Sequence, residues 1–196
     1  FFHFVDLFLR HGVTLLGIDL GYCLLHKKFS LFRRFLRLGC ELPAGEQLPE
    51  FTRCAGRVPE EHGEWLPYLL LAGFNPLLLM QRCWIFSVSK NVLDFILEFT
   101  NWKRLPPAVE QHLAEYKEKF TWTPKSHFAF IPPLSHLCRL EIRSVLRSER
   151  LRSDRSIREL PLPAYLQDYL LYLDVLRASG VPEAEEYLGQ REEGQP

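Results

Sequence analysis

The stretch that decides this fold reads Ile131-Pro132-Pro133-Leu134-Ser135-His136-Leu137-Cys138-Arg139-Leu140-Glu141-Ile142-Arg143. After an arginine-rich spacer it resumes as Ile157-Arg158-Glu159-Leu160-Pro161-Leu162-Pro163-Ala164-Tyr165-Leu166-Gln167-Asp168-Tyr169-Leu170-Leu171-Tyr172. Pro132 and Pro133 suit the entry to a helix, where a missing N–H costs nothing. From Leu134 the apolar residues Leu134, Leu137, Cys138, Ile142, Val145 and Leu146 recur at helical spacing and define one face. Arg139, Arg143, Arg147 and Arg150 fall on a neighbouring stripe, expected to be solvated. A free cysteine packs as a small hydrophobe, so Cys138 between larger residues leaves a shallow recess. Such a face either packs within its own domain or docks a partner.

The second half has a mechanical meaning. Pro161 pushes Leu160 out of the α region and Pro163 does the same to Leu162. The segment is expected to be extended and stiff, with little entropy to lose on binding. Pro163 then opens a helix carrying Leu166, Tyr169, Leu170 and Leu173 at helical spacing. The plainer alternative is a rigid loop capping a small helical domain.

Together the two halves resemble the SOCS box. Pro133, Leu134, Cys138 and Ile142 fill every position of the BC box, the helix with which SOCS-box proteins bind elongin C: a small residue or Pro, Leu, three residues, Cys, three residues, an aliphatic. Leu160, Pro161, Leu162, Pro163 and Tyr169 resemble the cullin box of the same family, in the right order and at a plausible separation.

Upstream, four segments resemble one another: Val5–Gly12, Phe32–Gly39, Leu66–Gly73 and Leu93–Thr100. Their closing residues are 27, 34 and 27 apart. Each reads as an apolar helix ending in Gly or, in the last, Thr, and Gly there suits a left-handed C-terminus. Ile18–Lys27, Leu48–Arg57 and Leu77–Ser87 read as the first helices of the last three pairs. A helical repeat of this length suggests a solenoid, and Leu70-Leu71-Ala72-Gly73-Phe74-Asn75-Pro76 resembles the second helix of an ankyrin repeat. The Thr-Pro-Leu-His turn of a good ankyrin repeat is absent, and Val58–Gly63 makes a long connection. An irregular helical bundle therefore stays open as the alternative. Phe1–His11 reads as a second helix without its first, and the chain does not open on Met, so a piece of a longer array is expected.

Composition narrows the function. Hydrophobic residues are 47% and aromatics 13%, enough for a packed core, and the formal net charge is zero. Five cysteines without a Cys-x-x-Cys pair suggest neither a disulfide framework nor a zinc ribbon, and point to a reducing, intracellular compartment. The Leu66–Met80 run is too short and too interrupted for a membrane span, and Phe1–Leu16 is no signal peptide. No phosphate-cradling loop or metal-ligand spacing is present. Cys138 as a nucleophile with His136 is disfavoured, because residues two apart point to different sides of a helix and apolar surroundings raise a thiol's pKa. Nucleic-acid binding by the Arg139–Arg158 stretch is disfavoured by Glu141, Glu149 and Asp154 and by the lack of interleaved aromatics.

The expected fold is therefore all-α: degenerate, N-terminally truncated ankyrin-like repeats over 1–104, a connecting helix within 105–126, a small three-helix SOCS box over 127–178, and a flexible acidic tail over 179–196. Within the box, the BC box spans 133–146 and the cullin box 157–172. In the connecting segment Val109, His112, Leu113, Tyr116 and Phe120 share a face. There His112 is expected to be a satisfied, partly buried histidine, with Trp102 and Trp122 covering the junction. The resemblance to the ankyrin repeat and SOCS box family implies a non-catalytic substrate-recognition subunit of a cullin–RING ubiquitin ligase, cytoplasmic or nuclear. It implies elongin B and elongin C held through Pro133, Leu134, Leu137, Cys138 and Ile142. It implies a cullin, with cullin five the expected one and its RING protein, met by Ile157, Leu160, Pro161, Leu162, Pro163, Leu166 and Tyr169. The repeats would present an unidentified protein target. No cofactor, metal, nucleic acid or membrane is implied. The alternative is an ankyrin-type scaffold without ligase recruitment.

Overall fold

The structure is a computed structural model that describes residues 11, 13–81, 83–125, 128 and 131–181. Val5–Gly12, the lone second helix at Phe1–His11 and the acidic tail beyond Val181 lie outside or almost wholly outside these residues. Among the described residues all regular structure is helical. The helices are α1 (Gly17–Leu25), α2 (Phe29–Arg37), α3 (Leu48–Ala55), α4 (His62–Leu71), α5 (Leu77–Met80), α6 (Lys90–Leu97), α7 (Pro107–Phe120), α8 (Leu134–Leu151), α9 (Arg155–Arg158), α10 (Ala164–Leu170) and α11 (Leu173–Ala178).

The first six form three stacked pairs. α1 packs on α3 and α2 on α4, so like helices of successive pairs lie side by side, as in a solenoid. Gly39 and Gly73 end their helices at φ +92° and +90°, the left-handed turn expected of them. The third pair departs from its neighbours. Its first element breaks after Met80 and continues as a 3-10 turn over Cys83–Ser87 rather than as one helix. The connection in the second pair holds a 3-10 turn at Pro59–Glu61 before α4 begins.

Trp65 is the hub of this core. Fully buried on α4, it meets Phe32 of the first pair edge-on at 6.2 Å, Phe51 of α3 at 6.2 Å and Trp84 of the third pair at 6.3 Å. Edge-to-face contacts of this kind add to the area each ring buries, so one side chain ties all three pairs together.

α7 closes the stack. Tyr116 is buried and donates to the Val88 carbonyl at 2.9 Å. His112 is partly buried with Nδ1 3.1 Å from the Met80 carbonyl, the satisfied histidine expected. Trp122 donates to Asp94 at 3.2 Å, and Trp102 packs on Phe128 and His136 at 4.8 Å each.

Candidate functional site

α8 is amphipathic in an unexpected sense. Its apolar row faces outward: Leu134 is 75% exposed, Val145 71% and Ile142 38%, with Ile131 just before the helix at 82%. Pro133 and Cys138 are also exposed and Leu137 half-buried. Leu146, expected on the same face, is instead buried. The arginine stripe expected to be solvated is instead partly buried. Arg139 is 3% and Arg143 7% exposed, so half of the supposedly solvated stripe lies inside, while Arg147 and Arg150 remain exposed.

The reason is chemical. Burying a guanidinium is tolerable where its charge is compensated by acceptors or aromatic faces. Arg143 donates from Nη2 to the Leu71 carbonyl at 2.7 Å and from Nη1 to the Leu170 carbonyl at 2.9 Å. Both are last-turn carbonyls with no partner inside their helices, at the negative ends of the helix dipoles. Arg139 donates from Nη1 to the Asp174 carboxylate at 2.8 Å and the Tyr169 carbonyl at 3.2 Å. Its guanidinium lies 3.9 Å from the ring centres of both Tyr169 and Tyr172, a cation–π sandwich. Periodicity could not distinguish this from a solvated stripe, because arginine's polarity hides its capacity to cap helix ends.

α8 thus lies across the C-terminal ends of the repeat helices. His136 Nε2 is 3.2 Å from the Thr100 carbonyl of the third pair, and Arg143 holds the end of α4. Ser148 and Leu151 approach Gly73, and Arg152 approaches Gly39. A break at Arg147 (φ 58°, ψ 169°) turns the last residues of α8 towards Gly73 and Gly39. Backbone in that region is essentially a glycine conformation.

The segment after α9 is bent rather than extended. Leu162 N–H donates to the Leu160 carbonyl at 2.7 Å, a tight turn around Pro161. The Gln167 side-chain amide sits within 3.0–3.1 Å of the Arg158, Leu160 and Leu162 carbonyls and fixes this shape. No sequence motif marks Gln167 for this role. Pro161 and Pro163 are exposed, whereas Leu160, Leu162, Leu166 and Tyr169 are half-buried. Ile157 is fully buried and belongs to the core. The helix expected through Leu173 breaks at Tyr172, whose φ of +59° starts α11. The buried Tyr172 ring stacks on Phe99 at 4.0 Å.

Reactive chemistry is not favoured at Cys23, Cys40 or Cys54, which are buried. Burial pushes the Cys23 and Cys40 thiols up to about 12 and raises Cys54 as well. Cys138 is exposed, so the apolar burial expected to silence it does not apply. Among the described residues no group of three or more His, Cys, Asp or Glu could hold a metal ion. None of their helices is long and apolar enough to cross a membrane.

Residues 130–171 match the SOCS box family model. The chain is 51% identical over 183 residues to human "Ankyrin repeat and SOCS box protein 3", covering 93% of this chain and 35% of that protein. It is 49% identical over the same length to the bovine protein of that name. It is 33% identical over 91 residues to mouse "Ankyrin repeat and SOCS box protein 14", covering 45% of this chain and 15% of that one. The chain therefore spans about a third of the length of the first two relatives. No solved structure gives a significant match.

Proposed function

We propose that this chain, which stands with the ankyrin repeat and SOCS box proteins across 93% of its length, is a substrate-recognition subunit of an elongin B/C–cullin–RING ubiquitin ligase. The observation that carries the reading is the outward apolar row of α8. Leu134, Cys138, Ile142 and Val145 stay open although the opposite side of the same helix is buried against the repeats. A contiguous open apolar row is costly for a protein with no use for it. Its place inside the SOCS box match supports elongin C as the occupant.

Pro133, Leu134, Leu137, Cys138 and Ile142 would meet elongin C. Leu160, Pro161, Leu162, Pro163, Leu166 and Tyr169 would meet a cullin, with cullin five the expected one. Ile157, being buried, would support that segment from behind. The chain would catalyse nothing itself. It would hold a target's lysines near a charged conjugating enzyme and so raise their effective concentration. The domain division at 104, 126 and 178 belongs to this proposal, with the repeats carrying the target.

The scaffold alternative, in which this region serves only for packing, predicts an α8 row covered from within, whereas Leu134, Ile142 and Val145 are exposed. The test is co-expression with elongin B and elongin C followed by size exclusion. A stable co-eluting complex supports the ligase reading, and independent elution at micromolar concentrations would leave the scaffold.

A further inference from the structure

We propose that Arg143 is the positioning residue that sets the angle between the ligase-facing helix and the repeats, an inference that rests on the ligase reading above. It projects from α8, the helix carrying the open apolar row. Its Nη2 donates to the Leu71 carbonyl at 2.7 Å and approaches that of Leu70 at 3.5 Å, at the end of the second repeat pair. Its Nη1 donates to the Leu170 carbonyl at 2.9 Å, at the end of α10. One planar group therefore touches the elongin-facing helix, the helix after the Leu-Pro-Leu-Pro segment and the target-presenting stack.

The chemistry suits a fixed angle. A guanidinium offers donors in a rigid fork, so two acceptors on different elements are held in one plane. A lysine ammonium on a flexible stem would hold charge there without direction. The guanidinium carbon also lies 5.2 Å from the centre of the Tyr172 ring, which itself stacks on Phe99 of the repeats. None of the partner-facing side chains takes part, so binding and geometry are separable.

The chain carries its own readout. Its seven lysines are Lys27, Lys28, Lys90, Lys103, Lys117, Lys119 and Lys125, all exposed, and residues 126–196 contain none. Any ubiquitin the assembled ligase places on this chain's lysines, as the lysine amine displaces the conjugating enzyme's thiol, therefore falls on the repeats or the connecting segment 105–126. The distribution among those seven reports where the stack sits relative to the enzyme.

The experiment compares wild type, Arg143→Gln and Arg143→Lys in complex with elongin B, elongin C and the cullin–RING pair. It maps ubiquitin on each lysine by mass spectrometry at early times, counting only the seven shared positions. Elongin affinity is expected within about 2-fold of wild type, since the open row is untouched. The lysine distribution is expected to broaden, with the dominant wild-type position losing at least 3-fold of its share. An unchanged distribution in a folded, elongin-bound Arg143→Gln overturns the proposal. If Arg143→Gln does not fold, Arg143→Lys decides in the same way. Failure of the wild type to bind elongin at all overturns the ligase reading instead.

Discussion

Arg139 rests its guanidinium 3.9 Å from the centre of the Tyr172 ring, a tyrosine that starts a helix at φ +59°. A left-handed tyrosine persists only where its surroundings over-determine it. Arg139 supplies one face of that setting and Phe99, at 4.0 Å, the stacked ring contact. Arg139→Ala should therefore destabilise the chain by about 2–4 kcal/mol, the sum of lost stacking and charge-assisted hydrogen bonds. Arg139→Lys should recover only part of this, because an ammonium cannot lie flat between Tyr169 and Tyr172. Asp174 is half-exposed, so Asp174→Asn should cost under about 1 kcal/mol. Urea denaturation checks the order, and an Arg139→Ala effect no larger than that of Asp174→Asn would contradict the sandwich.

The open row of α8 makes the opposite prediction, that binding changes while stability does not. Leu134 is 75% exposed in the free chain, so Leu134→Ala with Cys138→Phe should shift stability by no more than about 0.5 kcal/mol. If the row is buried on elongin C, losing Leu134 alone would remove roughly 2–5 kcal/mol, on the order of 30-fold or more in affinity. Urea denaturation of the double variant measures the first quantity, and calorimetric titration of the folded variant against elongin B/C measures the second. Wild-type affinity would rule out this face.

Gly73 tests the seam between repeats and box. It turns at φ +90°, and a β-carbon there would lie 2.9 Å from Leu151 Cδ1 and 3.4 Å from the Ser148 backbone. Gly73→Ala should cost about 1–3 kcal/mol, part backbone strain and part displacement of α8. Gly63, in the first turn of α4 with nothing within 4 Å, is the control. There Ala should be neutral or stabilising by about 0.5–1 kcal/mol. Thermal melts of the two variants should therefore move in different directions.

Buried thiols and a buried phenol give an alkaline limit. Burial raises Cys23 and Cys40 from 9.0 to about 12 and Tyr172 from 10.0 to about 12. These groups hold their protons longer folded than unfolded, so the unfolded chain binds fewer protons above pH 9 and stability falls as pH rises. Between pH 9 and 12 the three together are worth on the order of several kcal/mol. The melting temperature should be insensitive to these groups below pH 8.5 and drop beyond it. Tyr172→Phe should lessen the fall above pH 10, and an identical profile would mean that Tyr172 does not contribute.

The first two helix pairs were legible because their apolar spacing and closing glycines are local signals, whereas the third closes on Thr100 and its first helix breaks after Met80. Gly39 and Gly73 take the turn their type allows. The seam was not legible, because it is built from groups that no periodicity marks. Arg143 caps helices 72 and 27 residues away, and a pattern that counts arginine as polar places it in solvent. The break at Tyr172 was hidden for a related reason. Leu166, Tyr169, Leu170 and Leu173 keep helical spacing across a point where stacking on Phe99 overrides local propensity. Of the open row, the sequence identified the residues but not their exposure, which follows from the arginines taking the inner face.

The bend at Leu160–Pro163 lies within the second half of the box. Pro161 and Pro163 are exposed while Leu160 and Leu162 are half-buried against the core, and Gln167 holds the turn through three carbonyls. If this turn presents the cullin surface, two changes should act alike on cullin and differently on the fold. Replacing Leu160-Pro161-Leu162-Pro163 with four Ala removes the presented side chains and lets α10 extend backwards, since Ala is the best helix former. Gln167→Ala leaves those side chains in place and frees the turn, with a stability cost of about 1–3 kcal/mol for the carbonyls it no longer satisfies. Both should keep elongin B/C bound, because α8 is untouched. The four-Ala chain should lose cullin, and Gln167→Ala should weaken it by a smaller factor. A pull-down of both partners from one lysate reads the outcome. Loss of elongin and cullin together would make the turn purely structural, and loss of neither would put the cullin contact elsewhere on the chain.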